Sequence, residues 1–194
     1  MHSDSNSSAR ILDAALQVFS EKGYDGASTR EICERAQITK PTLYYFFRSK
    51  EGVYRALVDA AFAEYREMVE SALTGPGKRR DRLKNLAEVM FERACARPQT
   101  VRVLFSAVYE LNSPIALHVQ TLHERVVTRV QDAVNAAGRS GEFAPGNTSV
   151  RMIVLFGALM EAVSNSLLSG NPKLTRRLAH SIIDTIVDGW EPSR

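Results

Sequence analysis

The tightest constraint on this chain lies between Ser28 and Phe47, where two helix starts stand eleven residues apart. Ser28 followed by Glu31 predicts an N-cap with a capping box: the hydroxyl accepts from the backbone three residues on, and the carboxylate reaches back to the cap's own N–H. Thr39 predicts a second cap, with Ile38 and Leu43 as a hydrophobic staple around it. Pro41 falls in the first turn, where its missing N–H does no harm. The first of these helices has Ile32 and Ala36 facing inward and stops near Ala36; the second stops near Phe47. A preceding helix from about Ser8 to Lys22, with Ile11, Ala15, Val18 and Phe19 on one stripe, ends at Gly23. Three short helices with a tight turn between the last two predict a helix-turn-helix.

Helical periodicity continues through the rest of the chain, with no convincing alternating strand, so the expected fold class is all-α with about nine helices. Ser49 caps a long helix from about Lys50 to Leu73, broken by Gly75-Pro76-Gly77. The basic run Lys78-Arg79-Arg80 is expected as a solvated loop. Further helices are expected at about Asp81–Ala96, Thr100–Leu111, from Pro114 (as a first-turn proline) to Ala137, Thr148–Leu168 and Lys173–Asp188. The eighth is apolar on most of its circumference, with Gly157, Ala158 and Ala162 small enough for close helix contact. The domain reading is a disordered tail over 1–7, a DNA-binding domain over 8–50 and a larger helical domain over 51–194.

The totals exclude little. The chain has 194 residues, 44% hydrophobic and 24% charged, with net charge +3, an ordinary globular balance that permits a polyanion partner without demanding one. Cys33 and Cys95 lack metal or redox spacing and read as reduced thiols. The polar start has no apolar signal segment, and the apolar run Met152–Met160 is too short for a bilayer. The expectation is a cytoplasmic protein with no membrane partner.

The chemistry concentrates on the third helix. With Leu43 at the centre of the buried side, Phe46 and Phe47 fall within about 60° of it. Pro41, Tyr44 and Tyr45 project oppositely, with Thr42 at the edge. Phenols and hydroxyls bond phosphate oxygens, and apolar atoms meet thymine methyls, so this exposed face suits a DNA groove. Ser28 to Lys50 holds Arg30, Arg35, Lys40, Arg48 and Lys50 against Glu31 and Glu34, a local excess equal to the net charge of the whole chain, +3. The helix N-termini at Ser28–Thr29 and Ser49–Lys50 add positive dipole ends.

The string Gly23-Tyr24, Ser28-Thr29-Arg30-Glu31-Ile32, Ile38-Thr39-Lys40-Pro41-Thr42-Leu43-Tyr44-Tyr45-Phe46-Phe47 and Ser49-Lys50-Glu51 resembles the signature of TetR-type transcriptional regulators, and covers about the first third of the chain. Two positions depart from it: Gln37 stands where glycine is usual, and Pro41 where a small residue is common. The resemblance implies a homodimer through the eighth and ninth helices, a palindromic double-stranded DNA operator, and repression relieved by a small effector. The alternatives are an activator, or a helical interaction protein of the same fold that does not bind DNA. It carries DNA contacts onto Thr29, Lys40, Pro41, Thr42, Tyr44, Tyr45 and Lys50, and the motif's own caps and charges add Ser28, Arg30 and Thr39. It also implies an effector pocket, for which Phe62, Tyr65, Phe91, Phe105, Tyr109, His118, Leu122 and Phe156 are candidates and which suits an apolar or aromatic ligand. Glu110 and Glu161 lie beside apolar runs. His118 and His123 fall roughly 140° apart on a helix, so no metal site is expected. No cofactor is implied. Neither a hydrolase, phosphate-loop nor dinucleotide motif is present, so the chain does not read as an enzyme.

Overall fold

The computed structural model describes residues 2–110 and 112–190, with side chains from Ser7 onward. Among the described residues there is no strand. Nine helices run α1 His2–Gly26, α2 Thr29–Ala36, α3 Lys40–Phe47, α4 Lys50–Thr74, α5 Arg79–Ala96, α6 Pro98–Tyr109, α7 Ala116–Arg139, α8 Thr148–Ser169 and α9 Arg176–Val187, closed by a 3-10 turn at Asp188–Trp190. α1 starts earlier than Ser8 and takes in residues expected as a tail. Gly23 does break it: φ 69 and ψ −176 are non-helical, a conformation glycine reaches without steric cost.

Two compact units divide the chain, Met1–Glu64 with Gln99–His123, and Tyr65–Pro98 with Glu124–Arg194. In the first unit Ile11, Ala15, Val18, Ile32, Leu43, Val53 and Val58 are fully buried. The aromatic rings of Phe19, Tyr24 and Tyr54 cluster, with Tyr54 centred 4.8 Å from Phe19 and 5.0 Å from Tyr24. The restart expected at Pro114 is displaced. Ser113 starts the turn, its carbonyl accepting from Ala116 N at 3.0 Å, and Pro114 lies ahead of α7.

In the second unit α5 packs on α9, and α8 on both. The basic run is not a solvated loop, because Arg79 and Arg80 open α5 and find acids on other elements. Arg80 pairs with Asp184 at 2.8 Å and with Asp188; Lys84 reaches Asp184 at 2.7 Å. Lys84 and Arg80 hold the Asp184 carboxyl below the usual range. Arg79 N donates to Glu142 at 2.9 Å. α9 begins later than Lys173 because Thr175 caps it, accepting from Leu178 N at 3.2 Å. Trp190 is tied to this unit: its carbonyl accepts from Ala144 N at 2.6 Å, and Arg151 lies 5.1 Å over its ring.

α8 has mean hydropathy 1.6 over an 18-residue window, enough by length and composition to cross a bilayer, which the run Met152–Met160 alone does not suggest. The helix carries two apolar faces. Leu155, Leu159 and Val163 are buried, whereas Val150, Ile153, Val154 and Leu168 are 53%, 72%, 46% and 82% exposed. Val150, Ile153, Val154 and exposed Gly157 recur at helical spacing and form an open apolar stripe, which exposed Glu161 and Asn165 interrupt before Leu168. Ala162 faces inward and is buried.

Candidate nucleic-acid interface

Ser28 caps α2 in extended conformation, its Oγ accepting from Glu31 N at 3.2 Å. The second half of the capping box is replaced: the Glu31 carboxylate bonds Lys22 at 2.8 Å and Arg35 at 3.2 Å instead. Two cations are stronger partners for a carboxylate than one neutral backbone N–H. Thr39 caps α3, accepting from Thr42 N at 3.4 Å, with the two threonine hydroxyls 2.9 Å apart.

Between the caps, Gln37 sits at φ 54, ψ 48. Ile38 N donates to Cys33 O at 3.0 Å and Gln37 N to Glu34 O at 3.2 Å, the paired bonds of a Schellman helix end. Past α3, Arg48 takes φ 65 and turns the chain into Ser49, whose Oγ accepts from Gly52 N at 3.0 Å. Gly52 is obligatory: a Cβ there would lie 1.9 Å from the Phe47 carbonyl oxygen.

The faces of α3 divide as expected, with one correction. Leu43 is fully buried, but Phe46 and Phe47 are only half-buried. They lie off the centre line of an eight-residue helix whose buried contact is Leu43 alone. Tyr44 and Tyr45 are 45% and 76% exposed, and Tyr45 is braced by an edge contact with Phe46 at 5.1 Å. Lys40 and Pro41 are exposed and Thr42 half-exposed.

The cations divide too. Among the described residues Lys40 and Arg48 have no ion pair, whereas Arg30 pairs with Glu34 at 2.8 Å and Arg35 with Glu21 at 2.6 Å. Lys50, expected to point at phosphate, is turned inward. Its Nζ donates to Tyr24 O at 2.8 Å and Ala27 O at 3.1 Å and lies 4.2 Å over the Tyr24 ring. Those carbonyls follow the break at Gly23, so a cation at the start of α4 caps them. Ser28 is exposed and Thr29 half-exposed at the start of α2.

Among the described residues, Glu110 Oε2, just past the end of α6, and Tyr54 Oη, on α4, are buried without hydrogen-bond partners. Desolvation, then Asp25, raises the Glu110 carboxyl above its ordinary value, against smaller lowering effects of Ser106 and Lys50. Desolvation, then Glu110, pushes the Tyr54 phenol up to about 12. A carboxyl raised on folding favours the folded state while protonated. Its contribution is full below the unfolded value near 4.5 and is lost as pH rises through the folded one. Glu110→Gln is therefore expected to flatten the decline in melting temperature from acid to neutral pH; an unchanged profile would show that Glu110 does not cause it.

The pocket candidates fall in both units. Phe62, Phe105, Tyr109, His118 and Leu122 belong to the first, and Tyr65, Phe91 and Phe156 to the second. Phe62 and Phe91 are buried, but Tyr109 is 66% exposed. His118 Nε2 lies 2.5 Å from Asp59 Oδ1. The Tyr65 hydroxyl donates to Met90 Sδ at 4.0 Å, and desolvation pushes its pKa up. Glu161 is exposed and accepts from Asn165. A small cleft in the second unit, with about 10 Å³ of room, is lined by Leu73, Leu83, Ala133, Val134 and Phe143 with Arg79 and Arg82, and by none of the candidates. Among the described residues no three metal-ligating side chains converge.

Two capped helices joined by a left-handed turn, the second presenting tyrosines, hydroxyls and a free lysine, make a helix-turn-helix DNA-binding domain. The family model for bacterial regulatory proteins of the tetR family matches residues 11–57, and the tetracyclin repressor-like C-terminal domain matches residues 76–164. The chain belongs to the TetR family of DNA-binding, ligand-responsive transcriptional regulators. It is 30% identical over 126 residues to the HTH-type transcriptional activator FasR of Mycolicibacterium smegmatis, a match spanning 65% of this chain but only 58% of FasR. The fatty acid degradation regulator FadR from Bacillus halodurans has the same fold, with TM-score 0.82 and 22% identity, covering 94% of this chain and 99% of that one. FadR from Bacillus subtilis, solved in complex with stearoyl-CoA, aligns with TM-score 0.80 and 18% identity, covering 93% and 98%.

Proposed function

We propose that this chain is a cytoplasmic, homodimeric repressor that holds a palindromic operator through two copies of α3 and is released by an effector with a large apolar part. The observation that carries the DNA contact is the exposure of Tyr45, 76%, on a helix whose opposite side is seated by Leu43. Lys40, Pro41, Thr42 and Tyr45 meet the groove. Ser28, Thr29, Arg30, Thr39 and Tyr44 meet the flanking phosphates, and Lys50 has one N–H left for a phosphate after its two internal bonds. The open α8 stripe, with α9, makes the dimer contact. A two-fold dimer then offers the operator two equivalent recognition helices.

The effector acts by population shift: it binds better to the spacing of recognition helices that mismatches the operator. α4 is one continuous helix from Lys50, beside the DNA-binding helices, to Thr74, and carries the change. An acyl-CoA is the effector class this reading favours, supported by the complex of B. subtilis FadR with stearoyl-CoA and by the aromatic candidate set. A second reading, activation from the same contacts, is favoured by the likeness to the transcriptional activator FasR; the direction of transcript change on deleting the gene separates the two.

The test begins with a random duplex pool enriched on the full chain. If about six phosphates are held, affinity for the enriched duplex falls roughly 10³-fold between about 50 and 200 mM salt, and a flat response would overturn the phosphate contacts. Stearoyl-CoA is expected to displace the duplex. Equal binding of stearoyl-CoA to free and duplex-bound protein would exclude it as effector.

A further inference from the structure

The turn that aims α3 is incompletely capped by its own backbone. The Schellman bonds use the carbonyls of Cys33 and Glu34. Those of Ala36 and Gln37 accept from a side chain on another helix: Arg10 Nη2, on α1, donates to Ala36 O and, at 3.2 Å, to Gln37 O. One nitrogen thus forks across the two carbonyls at the point where the chain leaves α2. Arg10 is exposed and, among the described residues, has no ion pair. An exposed arginine at the start of a DNA-binding domain would ordinarily read as a phosphate contact. Its hydrogen bonds point elsewhere.

The consequence falls on α3. This helix buries one residue, Leu43, so packing alone leaves its direction weakly fixed. Its cap, Thr39, follows Gln37 by two residues, and the φ and ψ of Gln37 therefore set where α3 points. Gln37 is left-handed, a conformation a residue with a Cβ holds only when its surroundings over-determine it. Arg10 supplies that by gripping both carbonyls flanking the Gln37 nitrogen and α-carbon. Lys50 does the same at the other end of α2, on Tyr24 O and Ala27 O.

We infer that Arg10 is a positioning residue for operator reading. It acts on DNA through the pitch of α3, set by the two carbonyls it holds, and not through a phosphate. This rests on the DNA-binding reading only for its DNA-dependent part.

The test uses the full chain with Arg10→Met, which keeps an apolar stem and removes the donors, and Arg10→Lys, which keeps the charge and N–H donors on a stem one bond too short to reach both carbonyls as Nη2 does. Two measurements are made: amide hydrogen exchange without DNA, and affinity for the enriched duplex and a scrambled one across a salt series. Arg10→Met is expected to speed exchange at Gln37 and Ile38 by about tenfold, with amides of α5 and α9 unchanged. The preference for the enriched over the scrambled duplex is expected to drop by about tenfold at an unchanged salt slope, with Arg10→Lys intermediate. A phosphate contact would instead weaken both duplexes alike and reduce the slope by about 1.8 for the proposed dimer, about 0.9 for each of its two Arg10 side chains, and would overturn the inference. So would unchanged exchange, or an unchanged preference. If Arg10→Met does not fold, Arg10→Lys decides by the same readings. If the wild-type chain enriches no duplex, the DNA reading fails by itself, and exchange alone decides whether Arg10 holds the turn.

Discussion

Alanine at both Tyr44 and Tyr45 is expected to weaken binding to the enriched duplex by at least about 10²-fold while moving the melting temperature by no more than about 4 °C. Both phenols stand in solvent, 45% and 76% exposed, so folding gains little from them. The one ring contact of Tyr45 is the edge of Phe46, worth roughly 1 kcal/mol. At an interface, a truncated tyrosine costs about 2 kcal/mol. A dimer loses that in each half-site, so even a tenfold loss per half-site compounds to about a hundredfold for the operator. Leu43→Ala is the contrasting variant: Leu43 is fully buried, and its loss costs about 2–5 kcal/mol of stability. Normal duplex affinity in a folded Tyr44, Tyr45 double variant would remove this face of α3 from the DNA.

What is legible in the sequence divides by the range of the interaction. The caps at Ser28 and Thr39 and the break at Gly23 are decisions of one helical turn, and each reads from its neighbours; the demand on Gln37 comes instead from the family pattern. The exposure of Tyr44 and Tyr45 follows from helical geometry about Leu43. Phe46 and Phe47 share that geometry but end at the rim, because burial also needs a neighbour to cover them. Long-range choices are hidden. Local spacing has Glu31 closing its own cap, and Lys22, nine residues away, draws it off. It has Lys50 on phosphate, and carbonyls 23 and 26 residues back claim it. Arg80 finds its acid 104 residues on. A run of three basic residues carries no sign of such a partner. The forked bond from Arg10 is of the same kind: nothing in the residues around position 10 signals that Ala36 and Gln37 lack donors.

The effector candidates show a different limit. A buried aromatic that fills a core and one that lines a pocket have the same sequence pattern. Phe62 and Phe91 are fully packed, Tyr109 stands exposed, and His118 is held by Asp59. Apolar character fits the eight residues as a set, but only contact geometry sorts one from another. α8 presents the reverse case. Its composition alone suits a bilayer span, a core helix or an interface equally, and the structure separates its positions into a packed face and an open one.

That open face carries the second large effect. Ile153→Glu is expected to turn the proposed dimer into a monomer, read by sedimentation or by light scattering after size exclusion. Ile153 is 72% exposed in one chain and lies at the uncharged N-terminal end of this face, with Val150, Val154 and Gly157 beside it and Glu161 one turn beyond Gly157. Around a two-fold axis one substitution places a carboxylate on both sides of the contact. A buried charge left without a partner costs about 3–5 kcal/mol. The single chain loses nothing comparable, because the position is open to water, so its helical content and melting cooperativity should persist. Duplex affinity should collapse with the dimer, since a linked second half-site benefits from an effective concentration on the order of millimolar. The monomer would keep weak, salt-sensitive binding through a single α3. A variant that remained dimeric would move the interface off this stripe, and a monomer with undiminished affinity would show that each chain reads its operator alone.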